Sequence, residues 1–253
     1  MRRMFHHFLC SGLDWLHFLR NPEDVPKRLR VTPEFQDACL SGVKGPVLFC
    51  TPHLGNWEME SHISLLTGGR PGAVVVARFK QEWLNLLAER LRTVDSDTVT
   101  IPAEGAARGV LRALREGRHV GMLIDQNVSP RHGGIYVKFF GLPAVTSPLP
   151  AALARRLKTP VRVVACLRDD ATGEFYMDQE PLPQEAWEYP SDTDLTAAIL
   201  TAYEALIRRH PEQYLWIYHR WRYLPSNLPP EKRSKFPFYA LDKKYPCPED
   251  QLP

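Results

Sequence analysis

Val47-Leu48-Phe49-Cys50-Thr51-Pro52-His53-Leu54-Gly55-Asn56-Trp57-Glu58 is the stretch on which the fold turns. Its first four residues form an unbroken apolar run, which reads as a strand buried on both faces. Gly55 then supplies a turn residue and Asn56 a helix N-cap candidate, so the chain passes from strand to helix within a few positions. His53 therefore falls just past the carboxyl end of a strand, where open α/β sheets keep their ligand crevice. A turn between His53 and Glu58 brings imidazole and carboxylate together, whereas a continuous helix at about 100° per residue would splay them. A neutral imidazole there takes a proton from a hydroxyl, while the carboxylate fixes its tautomer. A helix starting near Asn56 would also favour the neutral ring through its dipole. None of this requires a metal. The competing reading is a buried histidine bonded to a carboxylate for structure alone.

The strand-helix alternation continues downstream. Residues 73–77 form a second buried strand with Arg78 at its end, and Glu82–Arg92 is a helix with basic residues Arg90 and Arg92 in its last turn. Residues 99–101, 120–124 and 161–167 read as further strands, the fourth ending in Asp125-Gln126-Asn127, with a helix over 103–116 between the third and fourth. Short helices are expected over 34–41, 59–66 and 151–157, and a longer one over 193–209 capped by Ser191-Asp192. Residues 136–141 read as a short aromatic strand or loop, and 175–177 as an antiparallel neighbour of 161–167 across the 169–173 turn. Strands that are apolar throughout, alternating with helices, predict an α/β sheet covered on both faces. His53, Arg78 and Asp125 all fall at strand ends, so one cleft is expected to collect them.

The chain of 253 residues is long enough for a full core, and one catalytic domain over 22–225 is the simplest division, with a separate helix over 1–21 and an irregular, proline- and lysine-rich tail over 226–253. Its five cysteines (Cys10, Cys39, Cys50, Cys166, Cys247) lack paired short spacings, which argues against a zinc site and a disulfide framework. A net charge of +3 does not by itself imply nucleic-acid binding, but suits an acidic surface. The apolar blocks are of strand length, so no segment is expected to span a bilayer, and His6, His7, Asp14 and His17 interrupt any secretion-signal core. Phe5, Phe8, Leu9, Leu13, Leu16 and Leu19 recur at helical spacing among Arg2, Arg3 and Arg20. That pattern is an amphipathic helix, either lying on an anionic leaflet or packed on the core.

Four segments in order resemble the late acyltransferases of lipid A biosynthesis, the lauroyl/myristoyl transferase group within the lysophospholipid-acyltransferase-like proteins. They are the motif from Thr51 to Glu58, the strand ending in Asp125-Gln126, Val137-Lys138-Phe139-Phe140-Gly141 with Pro143 and Thr146, and the run from His210 through Pro211-Glu212-Gln213-Tyr214 to Arg222. A histidine and an acid with four residues between them are weak alone, whereas four ordered segments are specific. The resemblance implies a mixed, mostly parallel acyltransferase-like sheet and transfer of an acyl chain from an acyl carrier protein or coenzyme A thioester to a hydroxyl of a membrane lipid, such as a lipid A precursor. It implies His53 as general base, Glu58 as its partner, and no cofactor. The oxyanion donor stays open among Arg78, Arg90 and Arg92; Asp125 would support the base from behind or, with Gln126, position the acceptor, unless it is a helix cap. Arg220, with its neighbours His219, Trp221 and Arg222, would either bind phosphate or form a structural cation–π cluster that closes the domain.

The implied setting is lipopolysaccharide synthesis at the cytoplasmic face of the bacterial inner membrane, with peripheral attachment, because the transmembrane helix usual in the family is replaced here by the short amphipathic one. The region between residues 77 and 92 also lacks the family's Asn-Pro signal, which leaves a different polar-lipid acceptor open. Other function classes fit less well. No His-Glu-x-x-His is present for a zinc hydrolase, and Ser147 sits in Thr-Ser-Pro rather than a nucleophile elbow. A non-catalytic lipid-binding protein is the remaining alternative.

Overall fold

The structure, a computed structural model, describes residues 2–92 and 97–253. In chain order the helices are α1 (Arg2–Arg20), α2 (Val25–Arg28), α3 (Pro33–Leu40), α4 (Ile63–Leu66), α5 (Glu82–Arg92), α6 (Ala106–Arg115), α7 (Leu149–Leu157) and α8 (Asp192–Arg209). The strands are β1 (Leu29–Arg30), β2 (Leu48–Thr51), β3 (Gly72–Val76), β4 (Thr98–Pro102), β5 (His119–Leu123), β6 (Ile135–Phe139), β7 (Leu142–Thr146), β8 (Val161–Arg168) and β9 (Phe175–Glu180). Seven of these form one sheet in the order β1-β9-β8-β2-β5-β3-β4. All its pairings are parallel except β8 with β9.

The strand carrying the opening motif is central, with β5 on one side and β8 on the other. Its alternating side chains enter different layers, as the two-residue period of a strand requires. Leu48 and Cys50 join the core formed with α6, α7 and α8, while Val47 and Phe49 pack with Phe35 and Cys39 of α3 on the opposite face. On that second face Phe18 of α1, Leu66 of α4 and Leu91 of α5 close over Cys166 and Phe175. Both faces are thus covered. β6 and β7 form a separate hairpin whose two loop residues, Phe140 and Gly141, both have positive φ, the backbone a tight two-residue hairpin requires.

One expectation is corrected, and two others are made specific. No continuous helix starts at Asn56; the chain makes a 3-10 turn over Met59–Ser61 and only then the short α4. The reason is that Gly55 N donates to Gln213 O and Asn56 N to Cys166 O, so the first donors go to other elements rather than to a helix. The helix dipole invoked for His53 is therefore not available from this segment. The tail, made of 3-10 turns and one short strand, is packed: Phe236 and Ala240 are buried against Leu224, and Cys247 is buried beside Tyr136 and Val145. α1 packs on the domain through Met4, His7, Asp14 and Phe18; the Asp14 carboxylate accepts from Arg28 at 3.0 Å and Arg168 at 3.1 Å, and His7 lies 3.3 Å from Asp170. Phe5, Phe8, Leu9, Leu13 and Leu16 face outward.

Candidate active site

The parallel register of β2 and β5 pairs Leu48 with Val120 and Thr51 with Leu123. Continued two residues beyond the strand ends, it sets His53 abreast of Asp125. The contact is double: His53 N donates to Asp125 Oδ2 at 2.8 Å, and the imidazole Nδ1–H donates to Asp125 Oδ1 at 2.6 Å. At the other ring nitrogen the Gln126 side-chain amide donates to Nε2 at 3.0 Å. These two bonds select one tautomer, with the proton on Nδ1 and a lone pair on Nε2. The imidazole is 16% exposed and Asp125 only 2%, so the ring is reachable while its partner is not.

Burial pushes the Asp125 carboxyl up, but His53 and then the nearby Arg220 guanidinium pull it down, and the balance leaves it below the ordinary carboxylate range. Asp125 is thus held as a carboxylate behind the ring. The buried Tyr214 lies nearby, and burial, then the Asp125 charge, push its hydroxyl well above the ordinary range. Trp57 meets the imidazole edge-on with ring centroids 5.0 Å apart.

The turn is clamped on both sides. Leu215 N donates to His53 O at 3.1 Å, and Leu54 bridges to Tyr214. Gly55 lies at φ +68°, and a Cβ there would stand 2.0 Å from Cys166 O, so only glycine fits. Glu60, fully buried, accepts from Cys166 N at 2.7 Å; its carboxyl is raised to about 8 by burial. Thr146 of the hairpin donates to Ile124 O, immediately before Asp125.

The expected pairing of His53 with Glu58 is not what the structure contains. Glu58 accepts both Nε and Nη2 of Arg92, each at 2.7 Å, and the ring position it was expected to fill is held by Asp125. The cause is the sheet: adjacent parallel strands bring Asp125 directly alongside, whereas the turn after His53 carries Glu58 toward α5. Arg92 is accordingly the one of the three candidate arginines tied to the motif. Arg78 pairs with Glu82 on the surface, and Arg90 is exposed, so neither is gathered at His53. Of the two readings open for Arg220, phosphate contact and a structural cation–π cluster, its surroundings fit the second: it is 2% exposed and donates to Asn127 Oδ1 and Val145 O above the Phe139 ring. Its neighbours His219 and Arg222 instead line a pocket of about 310 Å³ with Asn127, Tyr218 and Tyr239.

Sequence reasoning missed Tyr214, Glu60 and Asn127 as members of this constellation. Tyr214 lies in a segment already singled out, but its approach to Asp125 crosses most of the domain and leaves no local signal. Among the described residues, no group of three or more His, Cys, Asp or Glu side chains is arranged to hold a metal ion. A family model described as bacterial lipid A biosynthesis acyltransferase matches residues 38–223, which contain every residue of the His53 site. No curated protein matches the chain.

Proposed function

The chain belongs to the bacterial lipid A biosynthesis acyltransferase family, and from that premise we propose that it moves a fatty acyl chain from an acyl carrier protein thioester, or a coenzyme A thioester, to a hydroxyl of a lipid A precursor, with His53 as general base. The observation that carries the reading is the ring bonded at both nitrogens: Asp125 holds the Nδ1 proton and leaves the Nε2 lone pair toward Gln126. An acceptor hydroxyl that displaces the Gln126 amide from Nε2 loses its proton there as its oxygen attacks the thioester carbonyl. The tetrahedral oxyanion takes a hydrogen bond from the freed Gln126 amide, a role assigned here to Gln126 ahead of Arg78, Arg90 and Arg92. Collapse breaks the carbon–sulfur bond, and the departing thiolate recovers the proton from the imidazolium. Asp125 stabilises that imidazolium throughout. Glu58 acts at one remove, by fixing α5 to the catalytic turn through Arg92.

The reaction is placed at the cytoplasmic face of the inner membrane with the enzyme held peripherally. Support comes from α1, whose apolar stripe faces outward, and among the described residues no helix is long and apolar enough to cross a membrane. The test is transfer of a labelled acyl chain from acyl carrier protein to a lipid A precursor by the purified chain. His53→Ala is expected to lower the rate roughly 10²–10⁴-fold. Transfer at an undiminished rate would show that His53 is not the base. No transfer by the wild-type chain to this or any other polar lipid would favour the non-catalytic lipid-binding reading.

A further inference from the structure

α1 turns Met4, His7, Asp14 and Phe18 inward and leaves a second apolar side exposed. The line Arg2, Phe5, Leu9, Leu13, Leu16, Arg20 follows three- and four-residue steps along one side, so an exposed apolar stripe is bounded by an arginine at each end. At about 1.5 Å per residue the apolar stripe runs for roughly 16 Å and the two arginines stand roughly 27 Å apart along the axis. The helix is held by Phe18 in the core and by the ion pairs of Asp14 with Arg28 and Arg168, while the apolar residues it displays outward gain nothing from the domain.

α5 packs beside α1, with Leu91 and Phe18 in one cluster, and it repeats the same arrangement. Trp83 and Leu86 are exposed to 60% and 66%, Phe79 is exposed just before the helix, and Lys80 and Arg90 flank them. Neither Lys80 nor Arg90, nor Arg2, Arg3 or Arg20, meets an acidic partner among the described residues. Exposed apolar surface of this extent marks an interaction site, and a cationic border selects an anionic one.

We propose that α1 and α5 together form one seat for an anionic bilayer. The seat stands on its own observations, apart from the acyltransferase reading. In this position the helices lie in the interface plane and their arginines reach the headgroups.

The test uses the full chain and vesicles of phosphatidylethanolamine and phosphatidylglycerol, with phosphatidylcholine vesicles as the uncharged comparison. Trp83→Glu with Leu86→Glu, and separately Leu9→Glu with Leu13→Glu, are each expected to lower the vesicle-bound fraction at least tenfold at an unchanged thermal midpoint. Should the charged variants fold poorly, brominated acyl chains are expected to quench the part of the emission that Trp83→Phe removes. Unchanged binding of the α5 variant, or Trp83 emission untouched by brominated lipid, overturns the shared seat. So does a wild-type dimer in ultracentrifugation that the same substitutions dissociate, since a second copy would then cover the face. Vesicle binding by a wild-type chain that transfers no acyl group would remove the enzymatic reading while leaving the seat in place.

Discussion

His53 draws its proposed chemistry from two neighbours that sit next to each other in the chain, Asp125 and Gln126, one at each ring nitrogen. Asp125→Asn keeps the shape but loses the charge that fixes the Nδ1 proton, so kcat is expected to fall by roughly 10²–10⁴-fold. Glu58→Gln, by contrast, disturbs an ion pair with Arg92 and is expected to cost far less in kcat while lowering stability by about 1–3 kcal/mol. Steady-state rates and denaturant midpoints of the two variants separate the roles, and a larger kcat loss for Glu58→Gln would restore Glu58 as the ring's partner. At Gly55 the left-handed backbone alone costs a side chain about 1–3 kcal/mol, before the collision with Cys166 O is added. Gly55→Ala is therefore expected to lower the unfolding midpoint strongly, and a neutral effect in a thermal melt would show that the turn can relax. His53 and Gly55 were legible from their own segment. The partner was not, because a histidine followed by an acid in the same turn offers a nearer candidate than one on another strand.

The elements explain how the turn is held. Glu60 joins the 3-10 turn to Cys166 of β8 and carries a proton in the fold up to about pH 8, against an ordinary carboxyl value of 4.5. A raised carboxyl means that the folded state holds the proton more tightly than the unfolded chain does. Stability is then fully present below about 4.5, falls as pH rises toward about 8, and levels off above it. Glu60→Gln keeps an acceptor for Cys166 N and removes the titration. The variant is expected to match the wild type near pH 5 and to exceed it at pH 9 by an amount on the order of a few kcal/mol. Chemical denaturation at the two pH values checks this; parallel pH profiles for the two proteins would rule it out. The sheet strands were readable because each is apolar on both faces, and the two-residue alternation of Leu48 and Cys50 against Val47 and Phe49 shows why. The helix expected over 59–66 failed at its start. Propensity there is overridden by backbone bonds from Gly55 and Asn56 to Gln213 and Cys166, which no local pattern announces.

At the scale of the molecule, the last thirty residues show what composition conceals. A proline- and lysine-rich segment looks irregular, yet Phe236, Ala240 and Cys247 are buried against the hairpin and the segment that follows α8. Ending the chain after Pro225 exposes apolar surface on Leu142, Trp221 and Tyr136, and is expected to cost about 3 kcal/mol or more, since a fully buried large side chain contributes roughly 1.5–3 kcal/mol. An unfolding midpoint equal to that of the full chain would contradict this. The sequence by itself determined the α/β class, the position of His53 at a strand end and the amphipathic character of the first helix, because each rests on a short-range period or turn. Only the tertiary structure decided that Asp125 is the partner of His53, that Glu58 belongs to Arg92, and that α1 turns its apolar side outward. Those outcomes depend on the register of β2 against β5 and on the inward ion pairs of Asp14, contacts between residues far apart in the chain that no local pattern encodes.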